Sequence, residues 1–257
     1  MTVVVTRPRE QAAPLAEPLR ALGAEVLLVP TIRIVPRAVD DQIVRVVGDL
    51  EEYRLVVFTS ANAVRVVLDH LAELGAGRSA LDQPTIAAIG PATASALEVE
   101  GVGVDLVAGD AVQEGLVAAL AESGIPMAGS RVLIPRAREA RDVLPDALRA
   151  AGAVVDVLPV YDTVPVAELT VPPGQVEAAD FVTFTSGSGV RRFVSLMEAP
   201  GAVRPLSERL SGARLCSIGP VTSQALRDCG LPVALEASEH TAAGLVAAIA
   251  AAARGLA

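Results

Sequence analysis

Lysine is absent: all 21 basic residues of the 257-residue chain are arginine. That excludes Schiff-base lysines, a pyridoxal-phosphate anchor and the lysine of a Walker A loop. Histidine occurs only at His70 and His240 and cysteine only at Cys216 and Cys229. So few ligands, so far apart, spell neither a zinc cluster nor a Ser/His/Asp triad. The two cysteines lie in or beside apolar runs and read as buried, inert thiols. Tryptophan is missing and only six residues are aromatic, while 30 acidic residues against 21 basic ones give a net charge of -9. Such a chain has neither the basic footprint nor the stacking platforms of a nucleic-acid partner. No apolar run approaches the ~18 residues that span a bilayer, so no membrane partner is expected. Val3-Val4-Val5 meets Arg7 and Arg9 at once, without a basic leader or cleavage pattern. The expected location is cytoplasmic.

What the chain does have is an internal repeat. Residues 2–36 align with residues 131–165 at an offset of 129, with 14 of 35 positions identical, among them Arg7/Arg136, Gly23/Gly152 and Pro30/Pro159. The same offset aligns Ile89-Gly90-Pro91-Ala92-Thr93 with Ile218-Gly219-Pro220-Val221-Thr222, and Gly115–Ala119 with Gly244–Ala248; at 126, Phe58-Thr59-Ser60 aligns with Phe184-Thr185-Ser186. Blocks recurring in the same order mark a tandem duplication of a unit about half the chain.

Each unit alternates short β-branched runs with helical patterns. Val3–Thr6 reads as a strand, Glu10–Leu22 as a helix stopped by Gly23, and Glu25–Val29 as the next strand. Leu55–Thr59 is apolar without alternation, as a strand covered on both faces is, and Ala61–Leu74 follows as a helix. Ile86–Ile89, a helix from Pro91, Val104–Val107 and a helix over Val112–Ala121 complete the unit. Strands alternating with helices through right-handed crossovers predict two similar doubly wound α/β domains with parallel sheets. Pro30–Pro36 and Pro159–Pro165, each bounded by proline, suit extended linkers that together make a two-stranded hinge; ordinary surface crossings would look the same.

In parallel sheets, ligands bind beyond the carboxyl ends of the strands. The residues there recur: Thr6-Arg7 and Arg136; Ser60-Ala61-Asn62 and Ser186-Gly187-Ser188; Gly90 with Thr93, and Gly219 with Thr222. Ser60 and Ser186 suit helix N-caps, and Pro91 and Pro220 suit first helical positions, so capping alone accounts for them. The same hydroxyls and helix-start N–H groups also form anion cradles, which Arg7 and Arg136 reinforce by placing one charge at two strand exits. Arg9 and Arg138 read as surface residues at helix starts. Gly187-Ser188-Gly189 lacks the third glycine of a dinucleotide loop, and no Gly-x-Ser-x-Gly elbow occurs.

With Phe58-Thr59-Ser60-Ala61-Asn62-Ala63-Val64, Val160-Tyr161-Asp162-Thr163, Phe184-Thr185-Ser186 and Ile218-Gly219-Pro220-Val221-Thr222 in this order, the chain resembles the uroporphyrinogen-III synthase family. The resemblance implies that the first β-α-β of each half completes the domain built by the other half: residues 1–35 with 166–257, and residues 40–158, with linkers at about 30–39 and 159–165. It implies a lyase of haem biosynthesis that cyclises hydroxymethylbilane. Water is lost at ring A, ring D attacks through its substituted α-carbon to give a spiro intermediate, and reclosure leaves ring D inverted in uroporphyrinogen III. No metal or organic cofactor is implied, and a monomer is expected. The tetrapyrrole, an acetate and a propionate on every ring, would lie in a cleft between the domains against Thr6, Arg7, Ser60, Ala61, Asn62, Gly90, Thr93, Arg136, Ser186, Gly187, Ser188 and Thr222.

Loss of hydroxide needs a proton, and a phenol of ordinary pKa ~10 keeps one at neutral pH. Tyr161 matches the family tyrosine facing the cleft; a linker aromatic packed for structure would occupy the same place, and a substrate carboxylate could serve as the acid. Tyr53, after Glu51-Glu52, reads as a surface packing residue. Outside the family, the alternatives are a cytoplasmic two-domain sensor or binding protein for an anionic small molecule, which would share the cleft but want an output segment, and a nucleotide- or sugar-transferring enzyme, which would want a nucleotide site.

Overall fold

The first strand, β1 (Thr2–Val5), leads through a short 3-10 turn to α1 (Ala13–Ala21) and β2 (Glu25–Leu28) in a computed structural model that describes residues 1–110, 112–198 and 204–254. Then come β3 (Ile32–Pro36), α2 (Asp41–Gly48), β4 (Leu55–Phe58), α3 (Ala61–Glu73), β5 (Thr85–Ala88), α4 (Pro91–Val99), β6 (Leu106–Val107) and α5 (Gln113–Glu122). The second half holds β7 (Arg131–Ala137), α6 (Val143–Ala150), β8 (Val154–Pro165), α7 (Pro173–Glu177), β9 (Phe181–Phe184), α8 (Gly187–Met197) and α9 (Leu206–Arg209). It ends with β10 (Arg214–Ser217), α10 (Pro220–Asp228), β11 (Leu235–Glu236) and α11 (Ala242–Arg254).

The chain divides into two compact units, Met1–Arg33 with Val164–Ala257, and Ile34–Thr163. The first holds a five-stranded sheet in the order β11-β10-β9-β1-β2, and the six-stranded sheet runs β3-β8-β7-β4-β5-β6. Read outward from β2 and from β8, the two orders are the same, and the pairs from β1 to β2 and from β7 to β8 are parallel, as are those among β4–β6 and β9–β11. Parallel strands are buried on both faces. Leu55, Val56, Val57 and Phe58 are all fully buried, and they alternate between two cores: Val56 and Phe58 meet α2, α3 and α4 through Val46, Val67 and Leu97, while Leu55 and Val57 meet α5 and α6 through Leu116, Leu120 and Leu148. The other unit repeats the pattern. Val4 packs with Val190, Phe193 and Leu226 of α8 and α10; Val3 and Val5 pack with Leu15, Leu19, Leu245 and Ile249 of α1 and α11. Helices on both faces make both sheets doubly wound.

Two details depart from the sequence reading. The apolar pattern assigns no element to residues 37–54, yet α2 lies there, capped by Asp40, whose carboxylate accepts from the Ile43 N–H at 2.9 Å. The helix expected from Glu10 is a 3-10 turn at Arg9–Gln11 and then α1, an arrangement suited to Pro14, which lacks an N–H and sits in the first turn. Both proline-bounded segments are extended. β8 runs unbroken through Pro159 to Pro165, and β3 is its neighbour. Pro159 is tolerated inside the strand where the ladder is already interrupted: Arg136 aligns with Pro159 but Ala137 with Tyr161, so Val160 is an extra, bulged residue.

Candidate active site

Because β1, β9 and β10 are adjacent and parallel, their carboxyl ends bring Thr6-Arg7, Ser186–Ser188 and Gly219–Thr222 to one edge of their sheet. In the other unit β7, β4 and β5 do the same for Arg136, Ser60–Asn62 and Gly90–Thr93.

Ser60 caps α3, its Oγ accepting from the Ala63 N–H at 3.1 Å, and Ser186 caps α8 through the Gly189 N–H at the same distance. The Ser188 hydroxyl lies 3.3 Å from that of Ser186. Ala61 and Gly187 are the first residues of α3 and α8, and Asn62 is buried in the first turn of α3. Gly187 has a packing reason: a Cβ there would stand 3.1 Å from the Ala225 Cβ of α10. α4 and α10 have Gly90 and Gly219 at their N-cap positions and so no side-chain cap, which leaves the Ala92 and Val221 N–H groups without an acceptor among the described residues. Thr93 and Thr222, one turn in, are buried.

The arginines differ. Arg7 touches Gln11 Oε1 at 3.2 Å and has no carboxylate partner among the described residues; burial lowers its pKa. It is a partly desolvated cation whose charge the fold does not neutralise. Arg136 is 8% exposed, and its guanidinium is engaged by the Arg141 carbonyl at 2.8 Å and Asp142 at 2.6 Å, with Nε buried and unpartnered among the described residues. Thr6 is also spent internally, its hydroxyl donating to the Thr183 carbonyl at 2.7 Å, while the Thr183 hydroxyl donates to the Val4 carbonyl. Arg9 and Arg138 are exposed, and Arg138 pairs with Asp162 at 2.9 Å.

Tyr161 is 6% exposed and its ring joins the core on one face of the sheet with Leu158 and Val160. Strict alternation would put Val160 and Tyr161 on opposite faces; the bulge puts them on one. The Tyr161 hydroxyl then lies 3.0 Å from Ser60 Oγ, so two site candidates 101 residues apart are in direct contact. Asp162 sits between Arg37 and Arg138, at 3.9 and 2.9 Å.

Tyr53 is not a surface residue: it is buried, its hydroxyl bonds Asp156 at 2.6 Å, and the Arg131 guanidinium covers its ring at 4.5 Å. Burial, then the bond to Asp156, pushes its pKa up, and it lies at the amino ends of the strands, away from the donor turns. Cys216 and Cys229 are free; burial of Cys216 pushes its thiol up to about 12, whereas Cys229 is only half-buried. Sequence reasoning missed the Ser217–Ser223–Glu236 hydrogen-bond chain beneath the Gly219 turn, both serines fully buried. The signal was available: the positions 129 earlier are Ala88, Ala94 and Val107, so polarity replaces apolarity in one copy only.

These features define a doubly wound parallel α/β protein with donor-rich strand ends in each unit, a build suited to binding an anionic organic molecule. The family model described as uroporphyrinogen-III synthase HemD matches residues 13–247, and the chain belongs to the uroporphyrinogen-III synthase family. It is similar to a uroporphyrinogen-III synthase of Synechococcus elongatus, 33% identical over 255 residues that cover 96% of this chain and 94% of that one. A uroporphyrinogen-III synthase of Chlorobaculum parvum is 30% identical over 237 residues, 90% of this chain and 91% of the other. Among solved structures, a mutant uroporphyrinogen III synthase of Thermus thermophilus aligns over 99% of both chains with TM-score 0.63 and 20% identity. The uroporphyrinogen-III synthetase of Helicobacter pylori aligns over 100% of this chain and 99% of its own with TM-score 0.62 and 19% identity. These two likenesses establish the fold, a two-domain α/β architecture. Family membership favours the synthase over a sensor or a nucleotide-dependent transferase. Among the described residues no helix is long and apolar enough to cross a membrane.

Proposed function

We propose that the protein converts hydroxymethylbilane to uroporphyrinogen III, with Tyr161 donating the proton that leaves with the ring A hydroxyl as water. The observation that supports this is the Tyr161 hydroxyl on β8, tethered only to Ser60 among the described residues and beside the turn that opens α3. Its ring is fixed by the core, so the hydroxyl has a defined position at little entropic cost. Loss of water leaves an electrophilic methylene on ring A, and the ring D α-carbon attacks. Spiro formation and fragmentation then need no further proton source, and reclosure at the free α-carbon of ring D releases one proton, which balances the one Tyr161 gave to the departing hydroxide.

In this proposal the acetate and propionate groups are bound at the strand-end turns: by Arg7, by the N–H groups opening α3, α4, α8 and α10, and by the hydroxyls of Thr93, Ser186, Ser188 and Thr222, with Asn62 alongside. An acidic protein can bind a polyanion this way because oriented amides act locally. Tyr161→Phe tests the assignment. It keeps the ring packing, so turnover falls while affinity for a product analogue stays near that of the parent protein. Turnover unchanged in a folded variant would make Tyr161 structural and pass the proton to another group, such as a substrate carboxylate.

A further inference from the structure

The Ser60 hydroxyl has more to do than cap a helix. A serine hydroxyl offers one donor and two acceptor sites. One acceptor site receives the Ala63 N–H at 3.1 Å, and the hydroxyl lies 3.0 Å from the Tyr161 hydroxyl, where either oxygen is able to donate. The two directions have opposite consequences. If tyrosine donates, its proton points into the protein and is held there. If serine donates, the tyrosine oxygen is pinned and its own proton is left facing outward. The second direction is favoured by cooperativity, since an oxygen that accepts from an N–H becomes the better donor to the next group in the chain. It also leaves no donor wasted, because the Tyr161 hydroxyl has no other partner among the described residues and retains its proton for a ligand.

We infer that Ser60 is a positioning residue for Tyr161: the relay Ala63 N–H to Ser60 Oγ–H to Tyr161 Oη holds the phenol with its proton directed at the substrate. This rests on the reading of Tyr161 as proton donor and adds the group that aims it. The bulge at Val160 and the extended backbone of Ser60, with φ -167° and ψ 151°, are what bring the two hydroxyls together from β8 and the β4–α3 turn.

Glycine is nearly as good an N-cap as serine, so Ser60→Gly removes the hydroxyl while sparing α3, and Ser60→Thr keeps both cap and hydroxyl. The expected results are a kcat about tenfold lower or more for Ser60→Gly with KM changed by less than about twofold, and a kcat restored to within about twofold by Ser60→Thr. Adding Ser60→Gly to Tyr161→Phe should cost nothing further, because the two groups act as one. The chain has only two tyrosines, so a protein labelled at tyrosine Cζ gives two carbon resonances. Ser60→Gly should move that of Tyr161, identified by its loss in Tyr161→Phe, and leave that of Tyr53 in place; Ser60→Thr should leave both near the parent positions. If Tyr161→Phe lowers kcat but Ser60→Gly neither lowers it nor moves the Tyr161 resonance, Ser60 is a cap only and the inference fails while the tyrosine assignment stands. Independent, multiplying losses would place Ser60 on the substrate itself and equally overturn it. A Tyr161→Phe variant with full turnover would remove the proton-donor reading, and the inference with it.

Discussion

Arg7 and Arg136 occupy equivalent positions in the repeat, and the structure gives them different surroundings. Arg7 is partly desolvated and, among the described residues, hydrogen-bonds only the neutral amide of Gln11, so an arriving carboxylate would complete its hydrogen bonding. Arg136 already has Asp142 and a backbone carbonyl. Arg7→Ala should therefore weaken binding of a product analogue by ~1.5–3 kcal/mol, the range for a charge-assisted bond, with little change in stability. Arg136→Ala should instead lower the urea midpoint, because it removes a buried side chain and strands its partners. Titration and denaturation of both variants check this; equal loss of binding in the two would show that Arg136 exchanges Asp142 for the ligand. The recurrence of arginine at strand exits was legible in the sequence. The partners were not: Asp142 lies six residues beyond Arg136, and nothing in the local pattern distinguishes it from a solvated acid. Nor was the Ser60–Tyr161 contact, which depends on a one-residue bulge that periodicity cannot locate.

At the scale of elements, α3 is tied to the segment after β3 by His70, whose Nε2 is 2.8 Å from the Arg37 carbonyl. Nε2 must donate, so Nδ1 is the bare nitrogen, and it is buried without a partner among the described residues. Burial lowers the pKa below the ordinary 6.5, outweighing the acidic neighbours Glu73, Asp69 and Asp40. Arg37 itself pairs loosely with Asp40 and Asp162, at 3.7 and 3.9 Å. The unfolded chain thus takes up this proton at higher pH than the fold does, so the stability His70 contributes is present above 6.5 and is lost as pH falls through that value. His70→Gln keeps a donor to Arg37 and cannot titrate. Its urea midpoint should fall less than the parent protein's between about pH 7.5 and about pH 5.5, and identical slopes would contradict the assignment.

The second element-level contact is α8 against α10 at Gly187. A valine there would push on Ala225 and cost ~1–3 kcal/mol of stability, partly recovered by Ala225→Gly. Strands and long helices were legible because β-branched runs and three-to-four spacing are strong local signals. α2 is less legible: it is only eight residues long, and two buried residues, Ile43 and Val46, are too few to set a helical period apart.

For the whole molecule, the repeat visible in the sequence has a counterpart in the shared strand order of the two sheets, and each sheet combines strands from both halves of the chain. Order within a sheet is a long-range property that the repeat offsets do not give; that the first β-α-β of each half joins strands of the other half is an expectation only of the family resemblance. The Ser217–Ser223–Glu236 chain shows the limit, since equivalent positions need not keep equivalent chemistry. In the proposed reaction this chain directs ring D of a linear tetrapyrrole to close inverted. Without a catalyst, hydroxymethylbilane closes to the I isomer. The most direct measurement supplies the purified protein with hydroxymethylbilane, oxidises the products and separates the porphyrin isomers by chromatography. Uroporphyrin III in excess, at a rate proportional to protein and reduced in Tyr161→Phe, is the predicted result; the I isomer alone, at the rate seen without protein, would contradict it.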